Sequence, residues 1–214
     1  MRLVLPRLYV ILDSALLTVP VQECAQELAD AGVRLLQYRD KTAPARELLN
    51  SSRSLASLLI PQGISFVVND RADVAALAEA SGVHVGQDDL EVGQARALVG
   101  PEKLVGASTH NIEQFRAAAA ATADYIAVGP VFATSSKANP DPVIGTEFIR
   151  RVRDLSDKPI VAIGGITLEN ARSVIEAGAD CVAVISDVLR APDRLRRAKQ
   201  YLETLGAANH SAVV

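Results

Sequence analysis

Three hydrogen-bond donors alternate along one short stretch of this chain: Gln37, Arg39 and Lys41, separated by Tyr38 and Asp40. In an extended segment alternate side chains share a face, so an amide, a guanidinium and an ammonium would point the same way. Arg offers a planar fork for phosphate oxygens and Lys a mobile point charge, a combination that suits a di- or triphosphate better than one carboxylate. For Arg39 and Lys41 alone, solvated surface ion pairs are the plainer reading. Asp70 and Asp89 stand just beyond two later apolar runs, at equivalent places in the chain. Carboxylates at the ends of neighbouring parallel strands, about 4.8 Å apart, can approach one cation. Hard oxygen ligands beside a phosphate clamp, with no nearby Cys, point to Mg²⁺. Asp88 competes but should face the other way, and helix capping is the alternative use of each carboxylate.

A second anion site is expected elsewhere. Gly164-Gly165-Ile166 and Ile185-Ser186-Asp187 follow two further apolar runs, where backbone N–H groups and glycine can cradle a phosphate monoester. Between these regions lies the one long irregular stretch, Pro130–Ile144, with Thr134, Ser135, Ser136, Lys137, Asn139 and Asp141. A loop of that length in a compact domain reads as a lid. One polyphosphate and one monophosphate held in a single molecule imply that two substrates are joined.

The elements that must carry these groups are legible from periodicity. Eight short apolar runs recur: Leu8–Leu12, Val33–Leu36, Ile64–Val68, Val83–Val85, Leu104–Ala107, Tyr125–Val128, Ile160–Ile163 and Cys181–Ile185. Their Val and Ile content suits strands buried on both faces of a parallel sheet. Each is followed by a stretch rich in Ala, Leu, Glu and Arg: Gln22–Ala31, Ala43–Leu59, Asp73–Ala80, Glu91–Val99, Ile112–Ala121, Glu147–Leu155, Leu168–Ala177 and Pro192–Leu205. Gly32, Gly82, Gly100 and Gly178 are expected as left-handed C-caps and Thr167 as an N-cap. Eight β-then-α units predict a single α/β domain, a (β/α)8 TIM barrel over residues 1–214, with its site at the C-terminal ends of the strands and a frayed tail over 206–214. A doubly wound open sheet is disfavoured because no G-x-G-x-x-G follows the first strand.

Composition narrows the function. The chain has 214 residues, 4% aromatics, no Trp and a formal net charge of −3. Stacking platforms for bases or sugars are scarce, and the charge gives no basic footprint for nucleic acid. No apolar stretch approaches the ~20 residues of a membrane span, and the start is too short for a signal peptide. Cys24 and Cys181 lack metal-ligand spacing and read as structural thiols of a cytoplasmic protein. The expected partners are small molecules, with no nucleic acid and no membrane; a homo-oligomer stays open.

The strings Gln37-Tyr38-Arg39-Asp40-Lys41, Val68-Asn69-Asp70-Arg71, Val83-His84-Val85-Gly86-Gln87-Asp88-Asp89, Gly129-Pro130-Val131-Phe132-Ala133-Thr134-Ser135-Ser136-Lys137 and Ala162-Ile163-Gly164-Gly165-Ile166 resemble, in order, the thiamine-phosphate synthase family. The resemblance runs from Leu8 to about Leu189. It implies a transferase of thiamine biosynthesis that couples 4-amino-5-hydroxymethyl-2-methylpyrimidine diphosphate to a thiazole phosphate, releasing pyrophosphate and giving thiamine monophosphate. It further implies that Gln37, Tyr38, Arg39, Asp40, Lys41, Asn69, Ser108 and Lys137 bind the pyrimidine diphosphate. Thr134, Ser135, Ser136, Gly165, Ile185 and Ser186 would bind the thiazole phosphate, and Asp70 and Asp89 Mg²⁺. Arg39, Lys41, Lys137 and Ser108 would act on the reacting atoms in a dissociative substitution. Ser136 stands where the family pattern has a second threonine, and a hydroxyl is kept.

Two other readings remain at this level. A thiazole tautomerase of the same superfamily would use an acid–base residue, for which His110 is the candidate, and would leave the diphosphate clamp idle. A non-catalytic phosphate-binding barrel would have no use for metal ligands.

Overall fold

All eight apolar runs become strands, and each pairs in parallel with the next in chain order until β8 closes on β1. The computed structural model describes residues 3–134 and 141–206. The strands are β1 Leu8–Asp13, β2 Leu35–Arg39, β3 Ser65–Asn69, β4 Gly82–Val85, β5 Leu104–Thr109, β6 Tyr125–Val128, β7 Ile160–Ile163 and β8 Cys181–Val184. Among the described residues the helices are α1 Val21–Ala31, α2 Ala45–Leu59, α3 Ala72–Leu77, α4 Val92–Val99, α5 Ile112–Ala120, α6 Gly145–Arg153, α7 Ala171–Glu176, α8 Ser186–Leu189 and α9 Arg194–Leu205. The expected (β/α)8 barrel is therefore the fold. The short α8, directly after β8, was not anticipated, because four residues carry no readable period.

Period-two alternation sorts each strand between two cores. Leu8, Val10 and Leu12 on β1, Phe66 and Val68 on β3 and Val83 and Val85 on β4 face the helices in the larger core. Tyr9, Ile11, Leu35, Val67, Tyr125, Ala127, Val161, Cys181 and Ala183 fill the barrel itself. The interior is a packed plug rather than a pore, as this closure geometry requires.

Helix boundaries follow their caps. Asn111 Oδ1 accepts from Gln114 N at 2.9 Å at the start of α5, and Asp193 Oδ1 accepts from Arg196 N at 2.8 Å at the start of α9. Glu91 and Gln94 form a reciprocal capping box on α4. Gly32 closes α1 in the left-handed region at φ 102°. Two expected caps fail. Gly82 is the first residue of β4, small because a Cβ there would lie 2.2 Å from the Leu104 carbonyl oxygen. Thr167 precedes a turn, and α7 starts only at Ala171, after Asn170 has folded back to accept from Thr167 N at 2.9 Å.

The lower end of the barrel carries a repeated device. Asp124, just before β6, accepts from the Val105 N–H of β5 at 2.7 Å and pairs with Arg96 of α4, which also donates to the Gly100 and Lys103 carbonyls. Two units on, Asp180 before β8 accepts from the Ile160 N–H of β7 at 2.8 Å and pairs with Arg153 of α6 at 2.6 Å, and Arg153 also reaches the Ser156 and Lys158 carbonyls. Each arginine thus ties a helix end, a turn and two strand starts together. Among the described residues no helix is long and apolar enough to cross a membrane.

Candidate active site

The inward face of β2 delivers Gln37 and Arg39 to the barrel, as their spacing requires, but to different depths. Gln37 is 2% exposed, and its Nε2 donates to Tyr9 Oη at 2.7 Å. Arg39 lies at the rim and forms an ion pair with Asp13, its register partner on β1. Asp13 is 4% exposed, so the guanidinium is held by a buried carboxylate and presents its remaining donors upward. Lys41 lies beyond the end of β2, in the following turn, where it pairs with Asp70. The three donors therefore descend in steps from mouth to plug and do not form one flat clamp.

Tyr38 and Asp40 turn the other way. Tyr38 packs in the outer core, with Oη 3.3 Å from Asp40 Oδ2. Asp40 Oδ1 accepts from Thr42 N and Ala43 N, each at 2.9 Å. They shape the turn that carries Lys41 and do not line the cleft, because odd positions of this strand face inward and even ones outward.

Asp70 and Asp89 come together from adjacent units. Asp70 follows β3 directly and adopts φ 63°, a left-handed conformation that Asp tolerates better than most residues, while its N–H donates to the His84 carbonyl at 2.7 Å. Asp89 Oδ2 accepts from Gly86 N at 2.7 Å. Burial first, and the facing Asp70 carboxylate second, push the Asp89 carboxyl above its ordinary value. Two facing carboxylates, with the Lys41 ammonium beside them, form a set of hard oxygen donors that a divalent cation would relieve. Among the described residues no group of three or more His, Cys, Asp or Glu could hold a metal, so ligand oxygens and water would have to complete the shell. Asp88 borders the same cleft instead of facing away.

Two concavities open at the strand ends. One is lined by Arg39, Lys41, Asn69, Asp70, Asp89 and Ser108, among others, and is mostly polar. The other is lined by Thr134, Ile163, Gly165, Ile166, Ile185 and Ser186, among others, and is mostly apolar. Ser108, His110 and Asp141 border both. His110 Nδ1 lies 2.6 Å from the Gly129 carbonyl, which orients the ring, and its Nε2 is 3.5 Å from Asp141 Oδ2.

Gly164 and Gly165 adopt φ 99° and 61°. A Cβ on Gly165 would lie 2.3 Å from the Ala133 carbonyl oxygen, and one on Gly164 would lie 2.5 Å from Pro130 Cα. These glycines accommodate the segment after β6 as much as any ligand. Ser135, Ser136 and Lys137 lie outside the described residues, as does the middle of the stretch expected to act as a lid, residues 135–140. Asp187, next to Ser186, accepts from Tyr201 Oη at 2.7 Å and from Arg197 at 3.2 Å, anchoring the second concavity to α9.

Sequence reasoning overlooked Tyr9, His84 and Tyr125 beneath the site, and gave Asp13, at the polar end of the first run, no role. Their signal was parity: each occupies an inward-facing position of its strand and is polar where the neighbouring inward positions are apolar or small.

The profile of a protein family described as thiamine monophosphate synthase matches residues 8–188. The thiamine-phosphate synthase of Koribacter versatilis is 53% identical over 206 residues, covering 94% of this chain and 96% of that protein. The thiamine-phosphate synthase of Shouchella clausii is 46% identical over 173 residues, covering 81% and 83%. Among solved structures, the thiamine phosphate pyrophosphorylase from Pyrococcus furiosus superposes with a TM-score of 0.84 at 35% identity, covering 93% of this chain and 95% of that one.

Proposed function

The chain belongs to the thiamine monophosphate synthase family and has the transferase activity of a thiamine-phosphate synthase, and on that premise we propose that its two concavities divide the two substrates between them. The polar cleft takes the pyrimidine diphosphate and the apolar one the thiazole phosphate. The observation that carries this division is the shared border at Ser108, His110 and Asp141, which would bring two separately held ligands into contact.

In this reading Gln37 supports the pyrimidine from below, and Arg39, Lys41, Asn69, Ser108 and Lys137 contact the diphosphate end. Thr134, Ser135, Ser136, Gly165, Ile185 and Ser186 hold the thiazole phosphate. Asp70 and Asp89 would hold Mg²⁺, which when bound supplies positive charge to the diphosphate oxygens. The carbon–oxygen bond of the pyrimidine methylene breaks and its electron pair leaves with pyrophosphate. Arg39, Lys41 and Lys137 stabilise the charge gathering on that group. The thiazole nitrogen, waiting across the border, supplies the pair that forms the new carbon–nitrogen bond. No strong protein base is required.

Mixing both substrates with Mg²⁺ and following pyrophosphate, in parallel for the Lys137→Ala and His110→Ala variants, tests the assignment. A strong loss in Lys137→Ala is expected. A silent Lys137→Ala beside a dead His110→Ala would favour acid–base chemistry of the tautomerase kind.

A further inference from the structure

A continuous line of polar side chains crosses the otherwise apolar barrel plug, from β2 through β1, β6 and β4 to β5. Gln37 Nε2 is 2.7 Å from Tyr9 Oη, Tyr9 Oη is 3.2 Å from Tyr125 Oη, Tyr125 Oη is 3.1 Å from His84 Nδ1, and His84 Nε2 is 2.8 Å from Ser108 Oγ. Tyr9, Tyr125 and Gln37 are 2% exposed or less, and His84 is 8% exposed. The Tyr125 ring stacks on the His84 imidazole at 5.6 Å and meets the Tyr9 ring edge-on at 6.2 Å. Polar groups placed this deep are costly unless each is satisfied, so the line calls for an explanation beyond filling space.

We propose that this line is a polarised relay in which Gln37, Tyr9, Tyr125 and His84 act as positioning residues that fix the Ser108 hydroxyl as a hydrogen-bond donor toward the pyrimidine diphosphate. The direction follows from counting hydrogens. An amide nitrogen only donates, so Tyr9 Oη accepts from Gln37. The single Tyr9 hydrogen then goes to Tyr125, and the single Tyr125 hydrogen to His84 Nδ1. An imidazole that accepts at Nδ1 is the neutral tautomer with its hydrogen on Nε2, and that hydrogen goes to Ser108 Oγ. Ser108 has spent a lone pair on His84, and its own hydrogen turns into the cleft that it lines. Burial pushes both phenols well above the ordinary tyrosine range, so neither loses the hydrogen that the relay needs. Gln87 Nε2, donating to the Ser108 carbonyl at 2.6 Å, holds the backbone of the same residue.

The consequence is a selectivity rule. The ligand atom facing Ser108 must be an acceptor, a diphosphate oxygen or a ring nitrogen, and an N–H placed there would find no partner. The rule rests on the proposed placement of the pyrimidine diphosphate, whereas the tautomer of His84 does not.

The experiment therefore has two arms. Magnetic resonance of the ligand-free wild-type protein with isotope-labelled imidazoles reads the His84 tautomer directly; the chain has three histidines, and His110→Asn identifies one of the other two. Hydrogen on Nε2 alone is expected. Hydrogen on Nδ1 alone, or on both nitrogens, overturns the relay. In the second arm, Tyr125→Phe frees His84 to take the other tautomer while keeping the ring volume, so it should slow turnover about tenfold, like Ser108→Ala. The double variant should be no slower than Ser108→Ala alone. Additive losses would show that Tyr125 acts only by packing and would overturn the relay. An Nε2 hydrogen together with an unimpaired Ser108→Ala would leave the relay intact and refute the substrate placement instead.

Discussion

Tyr125 occupies the space that any side chain at Gly106 would need. The two are register partners on β6 and β5, and a Cβ on Gly106 would lie 2.1 Å from Tyr125 Cζ. The ring is fully buried between Tyr9 and His84 and has nowhere to retreat. Gly106→Ala should therefore overpack the plug, at about 1–3 kcal/mol, and lower the melting temperature by roughly 2–12 °C. Scanning calorimetry checks it, and an unchanged melting temperature would mean that the ring moves freely.

The facing carboxylates make a prediction about the cation that needs no turnover. Mg²⁺ added to the wild-type protein should raise its melting temperature by mass action, and Asp89→Asn should abolish that rise while folding normally. Turnover of Asp89→Asn or Asp70→Asn should fall by two orders of magnitude or more. Full activity in the presence of a chelator would defeat the metal assignment.

Arg39 holds a buried carboxylate, and in the proposed function it also contacts the diphosphate; the two can be separated. Arg39→Ala leaves the buried Asp13 carboxylate without its guanidinium partner, a loss of about 3–5 kcal/mol, and on the proposed placement also removes a contact to substrate. Adding Asp13→Asn should restore much of the stability and none of the turnover. Recovery of turnover with stability would show that Arg39 only maintains the fold.

Substitutions in the second concavity should act on one substrate. Ser186→Ala is expected to raise KM for the thiazole phosphate several-fold with little change for the pyrimidine diphosphate. Gly165→Ala should be more harmful and less selective, because its Cβ would push on the Ala133 carbonyl and shift the segment after β6. Equal effects of Ser186→Ala on both substrates would contradict the division of the pockets.

The barrel and the gathering of Arg39, Lys41, Asp70 and Asp89 at one end of it were readable from the chain, since strand period and strand ends are local properties. What escaped notice depends on closure. The ion pair of Arg39 with Asp13 requires knowing that β1 and β2 are neighbours in register. The line from Gln37 to Ser108 requires β1 and β6 to face each other across the plug, more than a hundred residues apart in sequence. The inward donors were read as one level surface because alternation gives a direction and says nothing of depth; Gln37 is buried where Lys41 is exposed. Gly82 and Gly165 were taken for generic caps and cradles, although backbone that arrives from distant segments decides both.

The paired arginine clamps beneath β5–β6 and β7–β8 place rigidity at the pole opposite the C-terminal strand ends. Engineering for heat tolerance there would escape the usual trade against turnover, because firmer feet leave the residues at the strand ends untouched. The same separation leaves the strand-end loops open to change: new specificities could be grafted at one pole while Arg96 and Arg153 keep the scaffold closed at the other.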